Sequence, residues 1–300
     1  MDFSGRTAIV TGAGRGLGLS YARALARRGA QVVISDCGSD GSGSGADDSV
    51  AHDAVQALRA SGARALADTA DLGTEAGCQG LVQRTLEAFG SLDILIHNAG
   101  WVGYQALEQT DAGFLERMLG INLYAPIWLA RHAWPHLRQS AAPRLLLTTS
   151  DRALYPEYAQ PGLLAYCAGK MAQVGIMNAL GQEGAEHGIR VNAVSPVAKT
   201  RMWGVSEEPP ELKPDWVTPG CCFWSASSAR TAATSCGPAM ASSVPGVPRR
   251  PRCGLPPGPE ADRGGHAGAV RPALGADQAA FHRGLREGAA LCGEISRSRK

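Results

Sequence analysis

The 300-residue sequence lacks a long apolar run and has almost no excess of either charge. A membrane-spanning helix needs roughly 18 or more consecutive apolar residues, and no stretch approaches that length. A formal net charge of +2 gives no reason to expect nucleic acid or an anionic membrane as a partner. The first residues also lack a basic region followed by an apolar one. We therefore expect no signal peptide and a cytoplasmic, reducing compartment.

Cysteine is present, but not in the spacings that hold metal ions. The chain has eight cysteines, and Cys221 and Cys222 are adjacent instead of being separated by two residues. We therefore expect free thiols and no metal. The apolar fraction of 44% suits a globular protein of one large α/β domain or two small ones.

What the sequence does have is a set of glycines after a short β-branched run. Residues 7–10 predict a buried strand, residues 11–18 are rich in glycine, and residues 19–28 have helical spacing. Strand, glycine turn and helix form the context of a dinucleotide-binding turn. Glycine lets the backbone approach a pyrophosphate, and the N–H groups at the helix N-terminus bind phosphates. Glycines also make ordinary loops, but this context favours cofactor binding.

Asp36 follows the second predicted strand, residues 31–35. An acidic residue about 20 positions beyond the glycines can accept hydrogen bonds from a ribose and would repel a 2′-phosphate. Asp36 therefore favours NAD over NADP as the cofactor. Arg15, inside the glycine turn, argues for NADP, and Asp36 could also be a plain turn residue at a strand end.

Further strands and helices alternate along the chain. We predict strands at residues 64–69, 92–96, 144–149 and 189–195, and helices at residues 50–60, 75–89, 111–137 and 165–187. Six strands alternating with helices predict an α/β fold, a Rossmann-like, doubly wound parallel sheet in three layers, α/β/α. Ligands of such sheets bind beyond the carboxyl ends of the strands. Six polar or glycine-rich candidates follow predicted strands: residues 12–18, Asp36, Asp71, Asn98, Ser150 and Thr200.

Asp71 has two interpretations that the sequence leaves open. Its carboxylate could accept a hydrogen bond from the adenine amine of a cofactor. It could equally cap the helix that is predicted to start near Thr74.

Tyr166 and Lys170 are the clearest candidates for catalysis. Four residues apart on a predicted helix, they share one face. A free tyrosine has a pKa of about 10, and an ammonium one turn away is expected to lower it. Tyr166 could then exchange a proton with an oxygen of the substrate. A core tyrosine beside a solvated lysine would give the same pattern, but the other candidates at the sheet edge favour catalysis.

With these motifs in view, residues 5–218 resemble the short-chain dehydrogenase/reductase family. The matching pieces are Thr11-Gly-x-x-x-Gly-x-Gly18, Asn98-Ala-Gly100, Asn122, Ser150, Tyr166-x-x-x-Lys170 and Pro196-x-x-x-Thr200. The resemblance implies an oxidoreductase that transfers a hydride between NAD, or alternatively NADP, and a secondary alcohol or ketone. The alternative is a nucleotide-binding regulator or scaffold with the same fold and no catalysis.

The resemblance also implies a role for each matching residue. Tyr166 would be the general acid/base, and Lys170 would lower its pKa and hold the nicotinamide ribose. Ser150 would orient the substrate oxygen, and Asn122 would hold a water of the proton relay. Thr200, with the segment before it, would bind the carboxamide. The implied cofactor-binding set is Gly12, Arg15, Gly16, Leu17, Gly18, Asp36, Asp71, Leu72, Asn98, Ala99, Gly100, Tyr166, Lys170, Pro196 and Thr200. The implied partners are a small alcohol or ketone and further copies of the chain in a homodimer or homotetramer.

The chain departs from the family pattern at several positions. His97 stands where asparagine is usual, and we expect a packed histidine instead of a catalyst. Val197 stands where glycine is frequent, which would stiffen the segment over the nicotinamide. Ser150 and Tyr166 are farther apart than the family spacing, so Thr149 could carry the functional hydroxyl instead. The extra residues fall in a predicted substrate loop, residues 151–162.

Two further segments bear on the substrate. Residues 37–49 are rich in glycine, serine and aspartate and predict a flexible loop. This insertion and residues 212–217 resemble the hydroxyacyl-CoA dehydrogenase units of multifunctional β-oxidation enzymes. A mostly apolar substrate pocket, or ordinary core packing, would explain four large side chains: Tyr155, Tyr158, Leu163 and Trp203.

The composition changes after residue 218. Residues 1–218 carry 18 basic and 22 acidic side chains, whereas residues 219–300 carry 11 and 5 and hold nine of the 18 prolines. A buried parallel strand needs a β-branched apolar run, and the tail has none. We expect a dinucleotide-binding domain over residues 1–218 and a disordered tail over residues 219–300, without the family's seventh strand. A shifted reading frame is the preferred origin of the tail, and genuine divergence is the alternative.

Overall fold

The computed structural model describes residues 1–200, 211–226 and 233–236, and these residues are organised around one parallel sheet. Its strands are β1 (Thr7–Thr11), β2 (Gln31–Ser35), β3 (Ala65–Asp68), β4 (Ile94–His97), β5 (Arg144–Thr148), β6 (Arg190–Pro196) and β7 (Ala233–Cys236). The strand order is β3-β2-β1-β4-β5-β6-β7, and every neighbouring pair is parallel. From β1 the chain adds β2 and β3 toward one edge of the sheet, and it then adds β4 to β7 toward the other edge. The switch point between β1 and β4 is where such folds bind ligands.

Helices cover both faces of the sheet, as the alternation of strands and helices predicts. They are α1 (Gly16–Ala26), α2 (Ser49–Ala60), α3 (Glu75–Phe89), α4 (Ala112–Leu119), α5 (Ala125–Leu137), α6 (Asp151–Leu154), α7 (Leu164–Glu183) and α8 (Pro214–Ala226). Helix α1 packs against α2 and α8. Helices α3, α5 and α7 share an apolar core with the strands. The prediction of a Rossmann-like α/β fold is confirmed.

The strands form because they are short, apolar and buried on both faces. All five residues of β1 and all five of β5 are buried. Ile9, Leu95, Leu145 and Val191, from four neighbouring strands, belong to one core cluster. Continuous burial of this kind is typical of central parallel strands.

The helix predicted over residues 111–137 is not continuous. Between α4 and α5 the chain forms a π-helical segment, Gly120–Tyr124. Pro126 has no N–H to donate to the carbonyl of Asn122, four residues earlier. Gln173 Nε2, from α7, donates to that carbonyl instead at 3.1 Å. The α-helical pattern of hydrogen bonds is therefore interrupted at Asn122, and α7 contacts this residue through Gln173.

The expectation of a sheet without a seventh strand is wrong. Ala233–Cys236 pairs with β6 in parallel register, from Ala193 opposite Ala233 to Pro196 opposite Cys236. As the edge strand of the described sheet, β7 pairs on one side only. A short strand without a long β-branched run is sufficient at such an edge.

Helix α8 runs across the boundary that the composition suggests at residue 218. Cys221 and Cys222 are buried, and Arg6 Nη1 donates to the carbonyl of Ser225 at 3.3 Å. Ser20 Oγ, on α1, lies 2.6 Å from Thr218 Oγ1. These contacts place α8 in the same compact unit as the sheet, and that unit runs from Met1 to Gly237.

Residues 227–232 and 237–300 of the predicted tail lie outside the described residues. Its predicted disorder and its origin in a shifted reading frame stay predictions. Within the part of the chain that the structure does describe, no helix is long and apolar enough to cross a membrane.

A chain ending at residue 218 should unfold at a lower temperature than one ending at residue 237. The shorter chain loses the buried side chains of Cys221 and Cys222. Losing burial of this kind costs about 3 kcal/mol, which lowers Tm by roughly 6–12 °C in a domain of this size. Calorimetry of both chains beside the full-length protein checks this. Equal melting temperatures would show that neither the second half of α8 nor β7 adds stability.

Candidate active site

The parallel sheet brings the candidate residues to one edge, the carboxyl ends of its strands. The glycine turn follows β1, Asp36 follows β2 and Asp71 follows β3. On the other side of β1, Asn98 follows β4 and Ser150 follows β5. Residues from both halves of the sheet therefore border one cleft at the switch point.

The glycine turn lies directly against the loop after β4. A Cβ on Gly12 would be 2.8 Å from Ala99 Cα, and a Cβ on Gly18 would be 2.2 Å from the carbonyl oxygen of Gly12. Gly12 also has a φ of +60°, which favours glycine. Asn98 Nδ2 donates to the carbonyls of Thr11 and Gly12 at 3.1 Å each. Asn98 thus joins the end of β4 to the glycine turn.

Helix α1 presents its N-terminus at this turn. Its N-cap residue, Arg15, makes no side-chain cap, so the first N–H groups of the helix have no side-chain acceptor there. The Arg15 side chain is exposed, and Leu17 is half-buried. Arg15 borders a cavity of about 320 Å³ between α1 and α2, together with Arg23, Asp47 and Asp53.

Asp36 connects the glycine turn to the loop after β2. Its Oδ2 accepts the N–H of Gly14 at 2.9 Å, and its Oδ1 accepts the N–H of Gly38 at 2.9 Å. Each carboxylate oxygen can accept more than one hydrogen bond. The carboxylate therefore keeps capacity for a further donor while it holds the turn.

Asp71 does not cap α3. The cap is Thr74, whose side chain accepts the N–H of Gly77 at 3.1 Å. Asp71 Oδ1 accepts the N–H of Gly73 at 2.8 Å and so shapes the turn that leads to the helix. Leu72 packs its side chain in the core, at 5% exposure, so only its backbone is available to a ligand.

Tyr166 and Lys170 lie one turn apart on α7, and both are buried, at 6% and 4% exposure. Lys170 Nζ lies 5.9 Å from the centre of the Tyr166 ring. The ammonium donates to the carbonyl of Thr148, at the end of β5, at 2.9 Å. Burial lowers the pKa of Lys170 to about 8. The alternative of a solvated lysine is therefore wrong.

The predicted direction of the Tyr166 pKa shift is also wrong for this structure. Burial raises the pKa of Tyr166 above its ordinary value of 10.0. A hydrogen bond with Ser150 and the charge of Arg152 oppose that rise without reversing it. The ammonium of Lys170 is directed to Thr148, and it is not among the groups that shift Tyr166. Spacing along a helix gives proximity, but it does not give the degree of burial.

The two candidate hydroxyls at the end of β5 have different partners. Thr149 Oγ1 is buried and donates to the carbonyl of Lys170 at 2.7 Å. Ser150 is the residue that hydrogen-bonds Tyr166. Its Oγ also accepts the N–H of Arg152 at 3.3 Å and so caps α6.

Asn122 occupies the π-helical segment and faces Lys170. Its Nδ2 donates to the carbonyl of Met118 at 3.0 Å. Its Oδ1 is buried and has no hydrogen-bond partner among the described residues. A Cβ on Gly100 would lie 3.0 Å from that oxygen and 3.3 Å from Lys170 Nζ. An unpartnered buried acceptor and a buried ammonium thus converge at Gly100, and π-helical segments are frequent at functional sites.

The segment after β6 approaches the same cleft from the other side. Pro196 ends β6, and the Thr200 side chain would lie 3.7 Å from a Cβ on Gly16. Lys199 donates its backbone N–H to the carbonyl of Leu212 at 2.8 Å. Trp203, a predicted pocket residue, lies outside the described residues. Of the other three, Leu163 is core, and Tyr155 and Tyr158 pack edge-on with ring centres 6.1 Å apart.

Sequence reasoning missed a polar cluster beside Tyr166. Arg152 Nη1 donates to Tyr104 Oη, and Tyr104 Oη donates to Gln160 Oε1 at 2.9 Å. The backbone N–H of Gln105 donates to the carbonyl of Gly162 at 2.9 Å, so the loop after β4 holds the predicted substrate loop. The only signal in the sequence was the position of Arg152 at the start of the loop that lengthens the family spacing.

The family model of the short chain dehydrogenases matches residues 6–210. The chain belongs to the short-chain dehydrogenase family. The short-chain type dehydrogenase/reductase Rv0148 of Mycobacterium tuberculosis is 35% identical over 220 residues, which cover 71% of this chain and 75% of that protein. Peroxisomal multifunctional enzyme A of Dictyostelium discoideum is 34% identical over 225 residues, 73% of this chain and 49% of the enzyme. The chain therefore matches about half the length of that relative.

Solved structures of short-chain dehydrogenases have the same fold. Carveol dehydrogenase from Mycobacterium avium, in complex with NAD, superposes with a TM-score of 0.69 at 22% identity, covering 78% of this chain and 97% of its own. A short-chain alcohol dehydrogenase from Sinorhizobium meliloti gives 0.68 at 26% identity, covering 78% and 95%. The prediction of the family is confirmed, and with it membership among oxidoreductases.

His97, at the position where this short-chain dehydrogenase departs from the usual asparagine, is a packed residue as predicted. Its Nδ1 lies 3.2 Å from Thr11 Oγ1, and its Nε2 lies 3.0 Å from the carbonyl oxygen of Ile121. Burial, and then the charge of Lys170, lower its pKa from 6.5 to about 3. The folded protein therefore keeps His97 neutral well below pH 6.

His97→Asn should weaken the dependence of stability on acid. Below pH 6.5 the unfolded chain protonates His97, whereas the folded chain does so only near pH 3. The free energy of unfolding should therefore fall as pH drops from about 6.5 toward 3, and asparagine removes that contribution. Urea unfolding across this pH range checks the effect. His52→Asn, at an exposed position on α2, is the control, and equal pH dependence in both variants would contradict the prediction.

Proposed function

We propose that the protein transfers a hydride between NAD and a secondary alcohol or ketone, with Tyr166 as the general acid/base. The observation that carries this proposal is the joint burial of Tyr166 and Lys170 one helical turn apart. Ser150 hydrogen-bonds Tyr166 at the same place. Membership of an oxidoreductase family supports the class of reaction.

The residues at the carboxyl ends of the strands offer groups that suit the phosphates and the ribose of a dinucleotide. Gly12 and Gly18 leave no room for side chains at the turn, so a pyrophosphate can approach the backbone. The N-terminus of α1, without a side-chain cap, offers N–H groups to phosphates. Asp36 offers a carboxylate for ribose hydroxyls, which favours NAD over NADP. Carveol dehydrogenase from Mycobacterium avium, a protein of the same fold, is solved with NAD.

The nicotinamide supplies the hydride donor or acceptor when the cofactor is bound. Tyr166 gives a proton to the substrate oxygen during reduction and takes one during oxidation. Because burial raises its pKa, Tyr166 holds its proton at neutral pH and is suited to act as an acid. Oxidation should become faster as the pH rises, since more of the tyrosine is then ionised. Ser150 orients the substrate oxygen beside Tyr166.

The remaining roles follow from the family resemblance and are compatible with the geometry. Lys170 holds the nicotinamide ribose with donors that Thr148 does not use, since an ammonium has three. Asn122 offers its unpartnered Oδ1 to a water of the proton relay. Pro196 and Thr200 belong to the segment that would hold the carboxamide. Asp71 and the Leu72 backbone would contact the adenine.

A nucleotide-binding regulator without catalysis is the second candidate. Members that lose catalysis typically lack the tyrosine or the lysine, and this chain keeps both in a buried site. Absorbance of NADH in a panel of secondary alcohols with NAD distinguishes the two functions. 3-Hydroxyacyl thioesters enter the panel first, because of the relatives named as peroxisomal multifunctional enzymes.

The state of assembly follows from the same resemblance. We infer a homodimer or homotetramer, and an apolar groove of about 430 Å³ between α5 and α7, bordered by Ile127, Trp134, Ile176 and Leu180, is a suitable face for a second copy. Sedimentation velocity measures the state of assembly. The cytoplasm stays our predicted location, although several relatives are named as peroxisomal.

Tyr166→Phe should abolish turnover and leave NADH binding intact. Removing a general acid/base lowers the rate by roughly 10²–10⁴-fold. The assay is steady-state oxidation of the best alcohol from the panel, with NADH affinity measured by fluorescence. Tyr124→Phe, which changes a 47% exposed tyrosine outside the predicted substrate loop, is the control. Near-normal turnover by Tyr166→Phe would remove this residue from the proposed mechanism.

Asp36→Ser should narrow or reverse the preference for NAD. The carboxylate repels a 2′-phosphate, and serine does not. Affinities for NADH and NADPH, measured by fluorescence titration, give the preference of each variant. Asp48→Ser is the control, since Asp48 is exposed and makes no side-chain cap on α2. Tighter binding of NADPH by the wild type would show that Arg15 outweighs Asp36.

A further inference from the structure

The insertion after β2 is an ordered loop with a narrow base. We call residues 38–47 the cover loop. At its base the N–H of Asp47 donates to the carbonyl of Cys37 at 2.9 Å. A Cβ on Gly38 would lie 2.0 Å from the carbonyl oxygen of Asp47, so the two sides of the base are in contact. The glycine-rich composition predicts flexibility, but these contacts close the loop on itself.

Asp40 organises the interior of the cover loop. Its Oδ1 accepts the N–H of Ser42 at 2.8 Å and the N–H of Ser44 at 3.0 Å. The backbone N–H of Asp40 donates to the carbonyl of Ser44 at 2.8 Å. The tip of the loop is therefore a defined turn around one carboxylate.

The tip of the cover loop rests on Trp101, the residue directly after Asn98-Ala-Gly100. Gly43 has a φ of +74°, and a Cβ there would lie 2.6 Å from Cδ1 and Cγ of the indole. Arg117, from α4, places its guanidinium 5.5 Å from the centre of the Trp101 ring. Arg117 Nη1 also donates to Ser44 Oγ at 3.1 Å. Arg117 therefore joins the tip to the tryptophan.

These contacts take the cover loop across the cleft. The loop leaves the end of β2, and its tip lies beside the end of β4, with β1 between them. The ends of β2 and β4 are thus two strand spacings apart, which is about 10 Å. The strand between them carries the glycine turn, where this fold binds the pyrophosphate. Asp36 holds both Gly14 of that turn and Gly38 of the loop, so the two segments share one anchor.

We propose that the cover loop closes over the bound dinucleotide and that its contacts with Trp101 and Arg117 set the rate at which the cofactor leaves. The inference rests on the cofactor of the proposed function, but it concerns cofactor release and not hydride transfer. The ligand is the adenosine and pyrophosphate half of a nicotinamide dinucleotide. Opening requires the tip to leave Trp101, and Arg117 resists that step.

The first test measures NADH release from the full-length protein by stopped-flow fluorescence with excess NAD as the displacing ligand. Gly43→Ala should raise the dissociation rate about tenfold, because its Cβ has no room beside Trp101. Gly41→Ala is the matched control, since a Cβ there meets nothing within 4 Å. Gly45→Ala tests backbone strain alone, since Gly45 has a φ of +75° and its Cβ meets nothing within 4 Å. Gly41→Ala should release NADH within about twofold of the wild-type rate, as expected for a substitution without steric conflict or positive φ. Gly45→Ala, where a positive φ strains alanine, should speed release less than Gly43→Ala, which carries the same strain and the steric conflict with Trp101.

The second test removes the other contact. Arg117→Met loses a cation–π contact and a hydrogen bond, which together correspond to about a tenfold faster release. Arg131→Met is the control, because Arg131 also lies over a tryptophan, at 5.5 Å from the Trp128 ring, on a different helix. Hydrogen exchange of residues 38–47 gives a readout without activity. Exchange should slow when NADH binds the wild type and should be faster in Gly43→Ala and Arg117→Met.

Faster release by Gly43→Ala and Arg117→Met supports the proposed closure, provided that Gly41→Ala and Arg131→Met stay near wild type and Gly45→Ala changes release less than Gly43→Ala does. Wild-type release rates in Gly43→Ala and Arg117→Met would overturn it, and so would exchange at residues 38–47 that NADH does not change. A protein that binds NADH but reduces no ketone contradicts the proposed function and leaves this measurement valid. A wild type that does not bind NADH would overturn both.

Discussion

Burial of Tyr166 and Lys170 is the constraint on which the rest of the site depends. A buried ammonium must be hydrogen-bonded, because an isolated buried charge is costly. Thr148, at the end of β5, supplies one acceptor at 2.9 Å. Gly100 leaves the space that places Asn122 Oδ1 near the same nitrogen. Even so, burial lowers the pKa of Lys170 to about 8. Most of the lysine is therefore still protonated at neutral pH, but its pKa lies only slightly above that pH.

The neighbouring elements place the buried pair and its acceptors together. Pro126 cannot complete the hydrogen bond to the carbonyl of Asn122, and Gln173 donates to that carbonyl from α7. A Cβ on Gly169 would lie 2.7 Å from Asn122 Cβ, so α7 can approach the π-helical segment only with glycine there. The helix that carries Tyr166 and the segment that carries Asn122 are therefore held in one arrangement by a proline, a glutamine and a glycine.

Much of the fold could be predicted because it depends on local patterns. Short apolar runs predicted six strands, and the glycines after β1 predicted the turn that leads into α1. The break at Asn122 was missed although Pro126 marks it locally, because the group that bonds the freed carbonyl, Gln173, is distant in sequence. The strand Ala233–Cys236 was missed because an edge strand needs little β-branched sequence. The order of residues 38–47 was missed because it comes from contacts with Trp101 and Arg117, whereas glycine content alone indicates flexibility.

The central claim is that burial, opposed by Ser150 and Arg152, determines the acidity of Tyr166. The most direct measurement is a ¹³C NMR titration of the protein labelled at tyrosine Cζ, with Tyr166→Phe used to assign the signal. The account predicts a midpoint above 10.0 for Tyr166 in the protein without cofactor. A midpoint well below 10.0 would show instead that the positive charge of Lys170 dominates.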